Sequence, residues 1–324
     1  MNHSLETPSA VSPASAASDL AVSVQDLHRR LGTVDALQGL SFDVHQGTCH
    51  ALFGRNGAGK TTALLCLLDL LRPDQGSVRL FGLDPARHER EVKAQVAFVP
   101  DTPAFYPWMT VRGTLDYFAS LRPIWNRDLE RHLLAERFRL DESRKTSALS
   151  KGMRAQLALM CALCGEPRLL ILDEPTNGLD PVLRQDLLRT VIGDYLTEDR
   201  RRTVLIATHL IGEVEGIVDR FTLVADGEAL LHDDVETARS RFRSLRLEFD
   251  DEPPAVDLAT LGLRTLEPAD LVEVDRMGKQ VEWMTSAFDD GLQARLEALG
   301  PVSLESRALS LEEIFVFSCR GAAS

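Results

Sequence analysis

One stretch, Gly54-Arg55-Asn56-Gly57-Ala58-Gly59-Lys60-Thr61-Thr62, limits what this chain can fold into more than any other. Glycine, four residues, then Gly-Lys-Thr is the pattern of a phosphate-cradling loop, and no position departs from it. Before it, Thr48-Cys49-His50-Ala51-Leu52-Phe53 alternates like the end of a buried strand. After it, Ala63 to Leu71 is dominated by strong helix formers. Strand, glycine-rich turn and helix in that order let backbone N–H groups close around phosphate oxygens at the positive end of a helix. Gly54, Arg55, Asn56, Gly57, Ala58, Gly59, Lys60, Thr61 and Thr62 are thus the candidate nucleotide-binding residues. Lys60 is expected to reach the β- and γ-phosphates, and the Thr61 hydroxyl to ligate Mg²⁺.

The rest of the chain must supply a sheet for this loop to sit on. Ala21–Val24 alternates as an edge strand, and Leu40–Val44 and Ser77–Gly82 read as further strands of an antiparallel group. Val96–Val99 ends at Pro100 as a buried strand. Thr110 to Ala148 turns helical and charged, with Trp108, Tyr117, Phe118, Leu121 and Trp125 supplying apolar faces. Strand and helix then alternate through Leu169–Asp173, Pro181–Leu196 and Thr203–Thr208, before a hairpin across Asp226-Gly227. Past about Thr237 the texture changes to a hairpin turning near Gly278, helix 290–299, strand 302–304 and a last helix. Ser310 and Glu313 form a capping box for that helix.

The expected fold is α/β, with a P-loop NTPase (RecA-like) core, an antiparallel β subdomain, a helical insertion at about 106–165, and a small carboxyl-terminal α+β domain. The boundaries fall at 1–19 for a disordered Ser/Ala/Pro-rich leader, 20–236 for the ATP-binding domain and 237–324 for the accessory domain.

Composition removes several alternatives. A net charge of −13 argues against a nucleic-acid surface. No run of about 18 apolar residues is present to span a membrane. The five scattered cysteines suit a reducing compartment rather than a disulfide framework. Cys161 and Cys164 form a C-x-x-C, but within an apolar helical run where free cysteine packs as a small hydrophobe. His45, Cys49 and His50 match no ligand spacing and are read as structural.

Leu169–Leu172 ends in Asp173-Glu174, so a buried parallel strand delivers two carboxylates to the ligand crevice. Beside Lys60 and Thr61 they take separate roles. Asp173 is suited to hold Mg²⁺, and Glu174 to orient the water that attacks the γ-phosphate.

Five segments, in order, resemble the ATP-binding subunit of ABC transporters over roughly Val22 to Leu230. They are the loop 54–61, Leu149-Ser150-Lys151-Gly152-Met153, Asp173-Glu174, Asn177-Gly178-Leu179-Asp180-Pro181, and His209. The second is similar to the family signature Leu-Ser-Gly-Gly-Gln, with Lys151 and Met153 substituted and Ser150 and Gly152 retained. The resemblance implies that Ser150 and Gly152 of one copy close over ATP held by the loop of another, in a head-to-tail homodimer. It also implies that His209 contacts the γ-phosphate, that Asp180 communicates across the interface, and that a separate membrane permease is moved. Arg154 is read as an ion-pair partner on its own helix. The subunit is then peripheral on the cytoplasmic face of the cell membrane.

Two positions depart from the family pattern. Asp101 stands where a glutamine is usual, which suggests a direct contact to the metal. Leu31 stands where an aromatic residue usually stacks on adenine. Phe105, Tyr106 and Trp108 read either as insertion core or as a docking surface for the permease. The segment 103–111, Trp125 and the ending Ser-Leu-Glu-Glu-Ile-Phe resemble drug-export and antibiotic-response ATPases. A second reading, a regulatory ABC ATPase with slow or no hydrolysis, draws on Asp101 and the altered signature; Glu174 and His209 favour a working ATPase.

Overall fold

The computed structural model describes residues 19–177, 179, 184, 187–199, 201–255, 261 and 270–320. The leader expected at 1–19, apart from Asp19, lies outside the described residues, as does Asp180.

Among the described residues, three sheets organise the chain. Strands β1 (Leu20–Leu31), β2 (Val34–His45) and β4 (Gln75–Leu80) form an antiparallel sheet in the order β2-β1-β4. The expected edge strand is therefore its centre: β1 pairs with β2 on one side and β4 on the other. Alternation marks a strand with one face buried, and that pattern does not report how many neighbours the strand has.

The second sheet contains β3 (Cys49–Phe53), β5 (Val96–Val99), β6 (Leu169–Asp173), β7 (Thr203–Thr208), β8 (Arg220–Ala225) and β9 (Glu228–Asp234), in the order β5-β6-β7-β3-β8-β9. All neighbours are parallel except β8 and β9. β3 and β6, both buried throughout, are the near-continuous apolar runs expected of strands covered on both faces. Between the two sheets lies helix α1 (Lys60–Leu67), whose Ala63, Leu64, Cys66 and Leu67 join the buried cluster shared by both.

After α2 (Glu89–Gln95) and β5, the helical insertion comprises α3 (Val111–Leu121), α4 (Arg127–His132) and α5 (Lys151–Leu163). Thr110, Asn126 and Ser150 cap them, each accepting a bond from a backbone N–H of the first turn. α5 buries every residue from Gln156 to Leu163. Its Cys161 and Cys164 are free and buried, and burial pushes the Cys164 thiol up to about 12, as the packing reading expects. The aromatic residues divide. Phe118 and Trp125 pack on the core, whereas Trp108 is 66% and Leu121 62% exposed.

Helices α6 (Gly193–Glu198), α7 (Ile211–Val214) and α8 (Val235–Arg241) complete the first unit. The third sheet, β11-β12-β10-β13, is antiparallel and combines β10 (Arg243–Glu248), β11 (Leu271–Met277), β12 (Gln280–Thr285) and β13 (Ser303–Ala308). Helix α9 (Asp290–Glu297) covers it, with Leu292 and Leu296 against Leu245, Leu247 and Trp283 in a separate small core. Helix α10 (Leu311–Arg320) does not join that core. Its Leu311, Ile314 and Phe317 belong to the large cluster around the mostly parallel sheet. The expected capping box is present: Glu313 N–H donates to Ser310 Oγ, and Ser310 N–H to Glu313 Oε2.

His50 is buried on β3, where it shares a 2.9 Å hydrogen bond with Thr222. Burial holds its imidazole well below the ordinary range, so it is a neutral core residue.

Candidate nucleotide-binding site

Parallel registration brings the site together. Phe53 pairs with Thr208 across β3 and β7, and Asp173 with Ala207 across β6 and β7. The loop after β3, the carboxylates ending β6 and the histidine after β7 therefore emerge at one edge of the sheet, where open α/β sheets bind ligands.

The loop turns sharply because two glycines allow it. A Cβ on Gly54 would lie 2.5 Å from the Val224 carbonyl oxygen. Gly59 has φ 103° and a Cβ there would meet the Ala36 carbonyl oxygen at 2.5 Å. Only glycine serves at such a position without displacing backbone. α1 starts at Lys60 directly behind this turn, so its first N–H groups face the concavity of the loop.

Lys60, only 5% exposed, donates to the carbonyl oxygens of Gly54 (2.8 Å) and Arg55 (3.3 Å), and its Nζ lies 3.3 Å from Glu174 Oε1. The other carboxylate oxygen of Glu174 accepts from Thr208 Oγ1 at 3.0 Å, from the His209 backbone N–H at 3.3 Å and from His209 Nδ1 at 2.9 Å. Glu174 itself has φ +45°, in the left-handed region. Non-glycine residues held there store strain of about 1–3 kcal/mol, and such strain clusters at functional positions. Its N–H donates to the Ala207 carbonyl (2.8 Å) and its carbonyl accepts from Asn177 (3.0 Å), which together hold it in place.

Thr61 donates to Asp173 Oδ2 at 2.9 Å, while Asp173 Oδ1 is buried without a hydrogen-bond partner. Burial raises the Asp173 carboxyl, the Thr61 bond opposes that, and the negative charge of Glu174 adds to the rise. A hydroxyl beside a buried, unpartnered carboxylate oxygen is a donor set that fits a hard divalent cation.

Asp101 accepts from Asn177 Nδ2 at 2.8 Å, and Lys151 Nζ lies 4.0 Å from it. Its negative charge is among those that raise the Asp173 carboxyl. Ser150 caps α5 by accepting from Met153, and among the described residues no hydrogen bond joins Ser150 or Gly152 to residues 54–62 of the same chain. Leu31, at the end of β1, is 43% exposed. Arg154 donates to the Leu149 carbonyl at 2.9 Å rather than pairing with an acid on its helix. Thr208 and Asn177 also contribute: Asn177 opens a segment already named for the resemblance but without a role of its own, and the signal for Thr208 is a hydroxyl closing the strand immediately before His209.

Residues 37–177 match the family model described as ABC transporter. The ATP-binding protein BcrA of Bacillus licheniformis, named for bacitracin transport, is 31% identical over 73% of this chain and 78% of its own length. A solved ATP-binding subunit of an ABC transporter superposes with TM-score 0.62 at 29% identity, covering 68% of this chain and 92% of that one. A dimeric ATP-binding cassette, MJ0796, bound to ADP and Pi shares the fold with TM-score 0.58 at 21% identity, over 66% and 98% of the two chains. With a phosphate loop, two strand-end carboxylates and a following histidine converging on one edge of its sheet, the chain belongs to the ABC transporter family, as one of its ATP-binding, ATP-hydrolysing subunits.

Proposed function

We propose that two copies of this chain close head to tail around two ATP molecules and drive a separate membrane permease in the direction of export. The observation that carries the reading is the contact of Glu174 with both Lys60 and His209, at 3.3 Å and 2.9 Å. Lys60 neutralises the phosphates, and His209 stands against the γ-phosphate. Glu174, held by Thr208 and His209, aligns the attacking water and takes its proton. Thr61 and Asp173 would hold Mg²⁺, which supplies positive charge beside the phosphates when bound.

The signature residues support a two-copy site. Ser150 and Gly152 begin a helix of 13 residues whose N-terminal end favours an anion, and among the described residues they have no bond to their own loop. In the closed pair they cover the partner's ATP, with Asp180 at the interface and Leu31 against the base. Hydrolysis then removes the ligand that holds the copies together.

Asp101 is assigned to the metal from the same edge. Replacing Asp101 with Gln is expected to raise the Mg²⁺ concentration for half-maximal ATPase activity severalfold, by removing one carboxylate from a hard-cation site. An unchanged Mg²⁺ titration would rule the contact out.

Among the described residues no helix is long and apolar enough to cross a membrane. An exposed apolar face is available instead for a permease. Tyr106 and Trp108 are exposed with tilted rings whose centres lie 4.9 Å apart, and a separate groove of about 830 Å³ is lined by apolar Leu70, Phe98, Phe118 and Leu121 and by charged Glu89, Lys93 and Arg122. Such a patch, rich in aromatics, suits a partner's helix laid into it. The subunit then sits on the inner face of the cell membrane through that contact. The relative named for bacitracin transport supports an exported antibiotic-like cargo by analogy. Tagged chain purified from detergent-solubilised membranes should carry a stoichiometric multi-span protein, and a Trp108→Ala, Leu121→Asp variant should lose it. Wild-type chain recovered alone from membranes and cytosol would overturn the permease reading.

A further inference from the structure

We infer that Glu215 is a positioning residue for His209, through which the last helix of the chain sets the turnover of the ATP site. This rests on the hydrolytic role proposed above for Glu174 and His209.

Helix α7 begins at Ile211, two residues beyond His209, and has four residues. A helix of one turn has almost no stability of its own, so packing decides its direction. On the strand side it is tied to the site, because Leu210 N–H donates to Thr208 Oγ1 at 3.0 Å and Thr208 donates on to Glu174. The strand end, His209 and α7 are therefore joined as one short unit.

The other side of α7 is held by residues from later in the chain, one 24 and the other 96 positions away. Glu215 Oε1 accepts from the backbone N–H of Leu311 at 3.0 Å and from Arg239 Nη2 at 2.6 Å. Leu311 is the first residue of α10, so its N–H is one of the donors that a helix start leaves unsatisfied. A carboxylate at that point also meets the positive end of the helix. The Ser310–Glu313 box fixes where α10 starts, and thus where the N–H points. Below the ion pair, Ile211, Val214 and Val218 are buried in one cluster with Leu311, Ile314 and Phe317. Glu213, two residues before Glu215, pairs with Arg184.

Ten-residue α10 thus packs on the helix that follows His209. This explains why α10 leaves the small carboxyl-terminal core and returns to the large one.

The test compares Glu215→Ala with Glu215→Gln by steady-state ATPase kinetics on the full chain, each with a thermal melt. Gln keeps an acceptor for the Leu311 N–H, whereas Ala removes both bonds. The Ala variant should lose roughly tenfold to a hundredfold in kcat, the scale of a displaced catalytic group. Its KM for ATP should stay within about twofold of wild type, because the loss lies in the reacting complex and not in ground-state binding. The Gln variant should recover most of the rate. Wild-type kcat in the Ala variant would overturn the inference, as would losses that follow melting temperature alone or raise KM by the same factor. A wild-type chain that does not hydrolyse ATP would overturn the proposed function and this inference with it.

Discussion

Glu174→Gln is expected to lower ATP turnover by about 10²–10⁴-fold, the range supplied by a positioned general base, while ATP binding persists or tightens. The substitution preserves shape. One amide oxygen can still accept from Thr208 and His209, so the strand end keeps the bonds that orient it. Two things are lost: the ability to take a proton from water, and a negative charge 3.3 Å from Lys60. Before ATP arrives, the buried lysine retains the carbonyls of Gly54 and Arg55. Once ATP is bound, the phosphates replace the missing charge, and the repulsion between Glu174 and the γ-phosphate is gone. The variant should therefore accumulate as an ATP-held dimer, visible by gel filtration with ATP and Mg²⁺ and absent with ADP. Turnover near the wild-type rate would remove Glu174 from the chemistry. Equal loss of binding and melting temperature would make it a structural residue.

Glu130→Ala should have the largest effect on stability, about 1–3 kcal/mol, the cost of leaving the donors around a buried carboxylate unpaired. Glu130 is 4% exposed on α4. It accepts from Arg112 at 2.7 Å, Arg127 at 2.8 Å and the Trp125 indole at 2.5 Å. Arg112 also reaches Glu142 at 2.8 Å, so one carboxylate organises α3, α4 and the segment leading to α5. Alanine would leave the Trp125 N–H without its acceptor and the two guanidinium groups without their shared anion. Melting should fall by on the order of 5 °C. Burial alone would raise the Glu130 carboxyl, but the bonds from Arg112 and Trp125 and the charge of Arg127 together hold it below the ordinary carboxylate value of 4.5. The unfolded chain therefore binds this proton first, and the stabilisation is complete above the ordinary value and lost as pH falls through the depressed one. The difference between wild type and Glu130→Ala in chemical denaturation should be full at pH 7 and shrink in acid. A difference independent of pH would mean that the side chain acts through packing alone.

Local patterns made much of the molecule legible. The phosphate loop, the apolar run ending in Asp173-Glu174, and the Ser310–Glu313 cap are each written within about ten residues. Short-range backbone chemistry is enough to determine them: glycines at positions that exclude a Cβ, alternation, capping side chains. The turn at Gly278, with φ +58°, and the packing of Cys161 and Cys164 were readable for the same reason.

What depended on distance in sequence was not. Alternation in Ala21–Val24 described a half-buried strand but not its place at the centre of a three-stranded sheet. Apolar character left Trp108 readable as insertion core or as docking surface; it and Leu121 lie exposed, while Phe118 and Trp125 pack on the core. The bond from Asn177 to Asp101 joins residues 76 positions apart, and that from Leu311 to Glu215 spans 96. No local pattern encodes such pairs, since each residue is compatible with solvent until the sheet order brings its partner near.

By itself, then, the sequence determined the nucleotide chemistry: a loop that only glycine can turn, a lysine behind it, and acids at the end of a buried strand. Tertiary structure decided which of those groups touch, because parallel pairing of β3, β6 and β7 aligns three chain segments at one edge. It also decided that the final helix would pack against the helix that follows His209, through buried apolar contacts whose specificity lies in shape and sequence separation rather than in any local motif.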